Sequence, residues 1–223
     1  MELLVFGHAG ARVIAFPTSQ GRFFEWEDRG MVGALGEQLD RGWIQLYCVD
    51  SVDAESWYAK HVHPHWRARR HEAYERYVLD EVIPLTNGHN ANPYLMVAGA
   101  SFGAYHALNI ALRHPWRFGR VIALSGLYDI KKMTGGWSDD AVYFQNPMDY
   151  LVHEHDAGRL KAIRRLDIIL AIGGDDPSRP NNDHVSGLLG ARGIPHRLRI
   201  WDGWCHDWPY WQRMIAHYIG GND

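Results

Sequence analysis

The chain has 223 residues, 46% hydrophobic and 22% charged, the make-up of one ordinary globular domain that can bury a core unaided. Its formal net charge of −3 argues against nucleic acid or an anionic membrane as the main partner, since both require concentrated positive charge. No run of about 18 apolar residues is present to form a transmembrane helix. Two cysteines, Cys48 and Cys205, cannot build a disulfide framework, and Met1-Glu2-Leu3-Leu4-Val5 carries an acid where a secretion signal wants a base. A cytoplasmic location is therefore expected. Aromatics reach 13%, with 10 Trp beside 14 His, enough for an aromatic-lined cavity as well as a core.

In chain order, Glu2–Gly7 and Arg12–Phe16 read as two strands joined by a tight His8-Ala9-Gly10 turn. Asp28–Arg41 places Met31, Leu35 and Leu39 on one helical stripe. Trp43–Val49 reads as a third strand, and Trp66–Val82 as a helix that Pro84 stops. Strands Tyr94–Ala98, Arg120–Leu124, Asp167–Ile172 and Arg197–Trp201 alternate with helices Ala104–Arg113, Asn182–Arg192 (closed by Gly193) and Trp208–Ile219. Several strands are continuous apolar runs, the mark of a sheet covered on both faces. The expectation is one α/β domain over residues 1–223, a mostly parallel sheet flanked by helices on both faces. Residues 128–162 fit the alternation poorly and read as a short excursion over the active site, with no large lid.

Gly99-Ala100-Ser101-Phe102-Gly103 is a G-x-S-x-G sequence between a strand and a helix, the setting a nucleophile elbow requires. Alone the pattern is only suggestive, because a Gly-rich turn with a helix-capping serine looks similar. A tight turn explains the glycines, since side chains there would strike the neighbouring strand and helix. It also aims the Phe102 N–H into the site, where developing negative charge is favoured. A serine hydroxyl is a weak nucleophile and needs a base, which needs an orienting acid. His206 lies in the loop after the last strand, and Gly173-Gly174-Asp175-Asp176-Pro177 follows the strand before it. Asp176 is favoured as the acid over Asp175, with Asp183 and Asp202 behind them; turn formation is their plainer role. Pro17-Thr18-Ser19-Gln20-Gly21 follows an early strand and offers a second oxyanion donor, the Ser19 amide, with Thr18 and Gln20 as neighbours.

Other patterns carry less. His61-Val62-His63-Pro64-His65 has no third partner at matching spacing, and neither this segment nor His153-Glu154-His155-Asp156 is expected to hold a functional metal. Cys205 abuts His206, but a residue next to a base in sequence points elsewhere, so it is not read as a nucleophile. Gly135-Gly136 is too short for a phosphate loop.

These residues resemble the esterase family of α/β hydrolases that includes S-formylglutathione hydrolases (esterase D), feruloyl-type esterases and mycolyltransferases of the antigen 85 type. The resemblance runs from Phe16-Pro17-Thr18 to the C-terminal helix. Its most specific stretches are Gly99–Gly103, Ser56-Trp57-Tyr58 and Gly203-Trp204-Cys205-His206-Asp207-Trp208. It implies an α/β-hydrolase fold, supports Ser19 through the position of Pro17–Gly21, and points to Asp176 as the acid. Family members carry at least one further antiparallel strand before the point where this chain starts, so the sheet edge is where a homo-oligomer contact would be sought.

The resulting expectation is a serine esterase acting on a small-molecule ester through Ser101, His206 and Asp176, with Phe102 and Ser19 amides as oxyanion donors and no cofactor or metal. Trp57, Tyr58, Trp137 and Trp204, with Tyr143, Phe144 and Trp208 nearby in sequence loops, suggest an apolar or planar acyl pocket. Two rivals are an acyltransferase that uses the same triad with an alcohol or sugar acceptor and a non-catalytic binding domain.

Overall fold

Apolar alternation on both sides of each central strand dictates the architecture. The computed structural model describes residues 1–220 and contains a seven-stranded sheet in the order β1-β3-β2-β4-β5-β6-β7. The strands are β1 (Leu3–Phe6), β2 (Ala11–Phe16), β3 (Ile44–Val49), β4 (Leu95–Ala100), β5 (Arg120–Leu124), β6 (Asp167–Gly173) and β7 (Arg197–Trp201). All neighbours are parallel except β1, which runs antiparallel to β3. In β2, Ile14 and Phe16 enter one core while Val13 and Ala15 enter the other; β4, β5 and β6 divide their residues in the same way. That two-sided burial is why these strands read as unbroken apolar runs.

On the first face lie α4 (Pro64–Tyr77), α5 (Ile83–His89), α6 (Phe102–Arg113) and α11 (Arg179–Ala191). The second face is covered by α1 (Glu25–Asp28), α2 (Met31–Ala34), α3 (Gly36–Asp40) and α12 (Trp208–Tyr218). Between β5 and β6 the chain makes α7 (Lys131–Thr134), α8 (Asp140–Tyr143), α9 (Pro147–Tyr150), a 3-10 turn (Leu151–His153) and α10 (Ala157–Ile163). Among the described residues no helix is long and apolar enough to cross a membrane.

The tight turn joins β1 to β2 as expected, but the two strands do not pair, because β3 lies between them. The turn that joins them packs on the entry to β3 instead: a Cβ at Gly10 would lie 2.1 Å from the Trp43 carbonyl. The single helix expected over Asp28–Arg41 is three short ones, broken at Gly30, which takes φ +71°, and again at Leu35. Its stripe survives the break, with Met31, Leu35 and Leu39 all buried. Pro84 does not stop the helix of residues 64–89. A π turn at Val78–Val82 precedes it, and proline falls in the first turn of α5, where the wider ladder tolerates a missing N–H.

The segment between β5 and β6 is tied down by polar side chains. Buried Glu75 of α4 accepts from Arg113 and Gln145 and contacts His114. Asn109 of α6 donates to Gln145 and accepts from Tyr150, and Arg67 donates to the Met133 carbonyl.

Candidate active site

The loops at the carboxyl ends of β2, β4, β6 and β7 converge, as open parallel sheets favour. Ser101 sits at the junction of β4 and α6 with φ +54° and ψ −120°, a conformation that costs of order 1–3 kcal/mol and persists only where its surroundings enforce it. The enforcement is steric. A Cβ at Gly99 would lie 2.2 Å from the Gly103 carbonyl, and one at Gly103 would lie 2.4 Å from the Pro17 carbonyl oxygen. Both glycines of the motif are therefore required by close backbone approach. The second contact also presses the start of α6 against the loop after β2.

His206 Nε2 lies 3.2 Å from Ser101 Oγ, and His206 Nδ1 lies 2.7 Å from Asp176 Oδ2. A carboxylate only accepts, so Nδ1 carries the proton and donates to Asp176. Nε2 is then the acceptor that faces the serine hydroxyl. The Asp176 side chain is fully buried, while that of His206 keeps 25% exposure. Asp176 Oδ1 also accepts the Ser178 N–H at 2.8 Å, so both carboxylate oxygens are held. Asp175, its rival in sequence, is exposed and spends its N–H on the Gly203 carbonyl. Asp183 pairs with Arg179, and Asp202 is exposed.

The histidine loop is fixed from behind. A Cβ at Gly173 would lie 2.1 Å from the Trp204 carbonyl oxygen, so the β6 and β7 loops are pressed together. Trp211 of α12 meets the His206 ring edge-on at 5.2 Å and donates to Ser125 Oγ at 3.0 Å. The Cys205 thiol donates to the Asp202 carbonyl, and burial pushes that thiol up in pKa, which keeps it protonated and inert.

Of the three candidate amides in the early loop, two are committed. Thr18 N–H donates to Glu25 at 2.7 Å, and Gln20 N–H donates to Asp53 at 3.0 Å. Ser19 N–H has no protein acceptor among the described residues. Phe102 is the first residue of α6, so its N–H has no intrahelical acceptor. Tyr58 links the two, its hydroxyl bonded to Ser19 Oγ at 2.7 Å and its ring edge-on to Phe102 at 5.4 Å.

The other aromatic residues separate. Trp204 is 50% exposed, with its ring 6.0 Å from His206. Trp137 is half-buried against His63. Trp57 corrects the expectation of a pocket wall: it is fully buried, packed on His71, and offers no surface to a substrate. Phe144 lines clefts of about 720 and 420 Å³ beside Arg113, at the end of α6 remote from Ser101, and Tyr143 lines the second of them. Sequence reading missed Asp53 and His106, a buried pair at 2.9 Å behind the early loop. No local signal marked His106, because a five-residue step from Ser101 does not return to the same helix face. Among the described residues no group of three or more His, Cys, Asp or Glu is placed to hold a metal ion.

The model of the family described as "Putative esterase" matches residues 47–219. No curated protein matches the chain. A ferulic acid esterase superposes with a TM-score of 0.71 at 20% identity, over 95% of this chain and 84% of that one. An S-formylglutathione hydrolase from Agrobacterium tumefaciens gives 0.71 at 13%, over 99% and 88%. MPT51 of Mycobacterium tuberculosis gives 0.71 at 14%, over 99% and 91%. At these identities the likeness establishes a shared α/β-hydrolase fold.

Proposed function

The chain belongs to the Esterase family and is a carboxylic ester hydrolase, and we propose that it cleaves small-molecule esters through an acyl-enzyme on Ser101. The observation that carries this reading is the 3.2 Å approach of His206 Nε2 to Ser101 Oγ while Nδ1 is held by Asp176. In the proposed reaction Oγ attacks the ester carbonyl carbon as Nε2 takes its proton. Asp176 holds the tautomer and stabilises the imidazolium that forms. The amides of Phe102 and Ser19 stabilise the tetrahedral oxyanion, a term worth about 3–4 kcal/mol of barrier per donor. The C–O bond to the leaving group then breaks as His206 protonates the departing alcohol. Water, deprotonated by the same imidazole, attacks the acyl carbon and frees Ser101.

No step requires a metal or organic cofactor. In the same proposal the chain acts as one domain, with residues 128–162 as its excursion. Tyr58 and Trp204 are the aromatic contacts offered to the acyl group. Without a large lid, short acyl chains are expected to turn over faster than long ones. Hydrolysis of p-nitrophenyl acetate, butyrate and palmitate checks this, and intact-mass analysis after rapid acid quench looks for the acyl adduct on Ser101. Rates that peak at palmitate would contradict the short-chain reading, and absence of any adduct with efficient turnover would contradict the covalent route. Product analysis with added alcohols separates hydrolysis from acyl transfer.

A further inference from the structure

The Asp53 side chain has no exposed surface, and its only ion-pair candidate among the described residues is His106, itself 1% exposed. A carboxylate in such a place is expensive unless donors satisfy it. Here its two oxygens divide two donors: Oδ1 faces His106 Nε2 at 2.9 Å and Oδ2 accepts the Gln20 N–H at 3.0 Å. Because the carboxylate only accepts, Nε2 carries the proton. An apolar pair of similar volume could fill this space for the fold alone. What an apolar pair could not supply is an acceptor for Gln20.

Gln20 needs one. Its φ is +57°, a left-handed conformation uncommon outside glycine, in a loop whose tip is exposed. Bonding of Thr18 to Glu25 fixes one side of Ser19, and bonding of Gln20 to Asp53 fixes the other. His106 is in turn immobilised by rings: His71 stacks on it at 5.2 Å, and Phe102, Tyr74 and Phe16 lie at 5.1, 5.7 and 5.7 Å. It is also part of α6, the helix that begins immediately after Ser101 and contributes the Phe102 amide.

We infer that the buried Asp53–His106 pair is a positioning device for the oxyanion hole: it takes up the Gln20 N–H, fixes the strained turn, and leaves the Ser19 N–H aimed as the free donor. One rigid helix then sets both oxyanion donors, Phe102 directly and Ser19 through His106, Asp53 and Gln20. Asp53 and His106 touch no substrate. The inference rests on the serine hydrolase reading above and deepens it.

The test compares wild type, Ser101→Ala, Asp53→Asn and the double variant Asp53→Asn/Gln20→Gly on p-nitrophenyl acetate. Asparagine presents an N–H where one of the two acceptors was, so kcat is expected to fall by about tenfold or more while KM stays close to wild type. Glycine at position 20 adopts positive φ without strain, so the double variant recovers part of the lost kcat, which a merely structural role for Asp53 would not allow. Wild-type kcat in folded Asp53→Asn beside an inactive Ser101→Ala overturns this inference alone. Turnover retained in Ser101→Ala overturns the serine hydrolase reading itself. Should Asp53→Asn not fold, amide exchange by NMR on the wild-type enzyme decides the matter. Slow exchange at Gln20, fast exchange at Ser19, and shifts at Ser19 and Phe102 on adding a short alkyl boronic acid are expected. A Gln20 amide that exchanges as fast as that of Ser19 overturns the inference.

Discussion

Asp176–His206 and Asp53–His106 are the same chemical couple at nearly the same separation, 2.7 and 2.9 Å. They differ in what lies beyond the imidazole. His206 keeps 25% side-chain exposure and turns its second nitrogen to a serine hydroxyl. His106 is sealed among rings, and its Nδ1 has no hydrogen-bond partner among the described residues. The lesson is that an aspartate–histidine pair becomes a base only where its far nitrogen meets a nucleophile at an open surface. Sealed in the core, the same pair can serve only to hold backbone.

Breaking the open pair gives the largest effect. Asp176→Asn removes the acceptor that selects the Nδ1–H tautomer, and kcat on p-nitrophenyl acetate is expected to fall by about 10⁴. Asp175→Asn, one position away but exposed, should leave kcat near wild type; the reverse pattern would reassign the acid.

Next comes the backbone contact that joins the two regions. Gly103→Ala would place a methyl group 2.4 Å from the Pro17 carbonyl oxygen, backbone against backbone. A loss of at least about 1–3 kcal/mol in chemical denaturation is expected, with activity falling as the early loop shifts from Ser101. A variant of wild-type stability would show that α6 and the early loop are not in enforced contact.

A third acid–histidine contact sharpens the contrast further. Glu75 meets His114 and Arg113 far from the site. Burial pushes its carboxyl up, but the His114 bond and the Arg113 charge prevail and hold it at about 2, below the ordinary 4.5. A depressed folded-state value means stabilisation that is complete above 4.5 and lost as pH falls toward 2. The difference corresponds to about 3 kcal/mol. Urea titrations from pH 2 to 6 should therefore show a slope that Glu75→Gln removes, with kcat at neutral pH little changed. An unaltered slope in the variant would remove Glu75 from the acid-sensitive set.

The strands were legible because two-sided burial writes itself as Val-Ile-Ala-Leu and Ile-Ile-Leu-Ala-Ile runs. The meeting of Ser101 and His206 was legible because G-x-S-x-G between a strand and a helix makes a tight turn at the sheet's carboxyl edge, and because loop order after the last strands is a topological property. Less local facts were hidden. Residues 2–16 carry a turn that suits a hairpin, yet β3 lies between the two strands and the turn packs on its entry at Trp43. Trp57 sits beside Tyr58 in a loop, yet one ring is buried and the other faces Ser19. Periodicity could not separate them. Asp53 reads as a surface acid in Asp50-Ser51-Val52-Asp53; its partner lies 53 residues away, and nothing local records the pairing.

Labelling with a fluorophosphonate probe reaches the central claim most directly, because it reports whether one hydroxyl is activated by its partners. The wild-type enzyme should take up a single equivalent, mapped by peptide mass to Ser101. His206→Ala should label far more slowly and Ser101→Ala not at all. Undiminished labelling of Ser101→Ala, or a folded wild-type enzyme that hydrolyses esters yet never labels, would contradict the account.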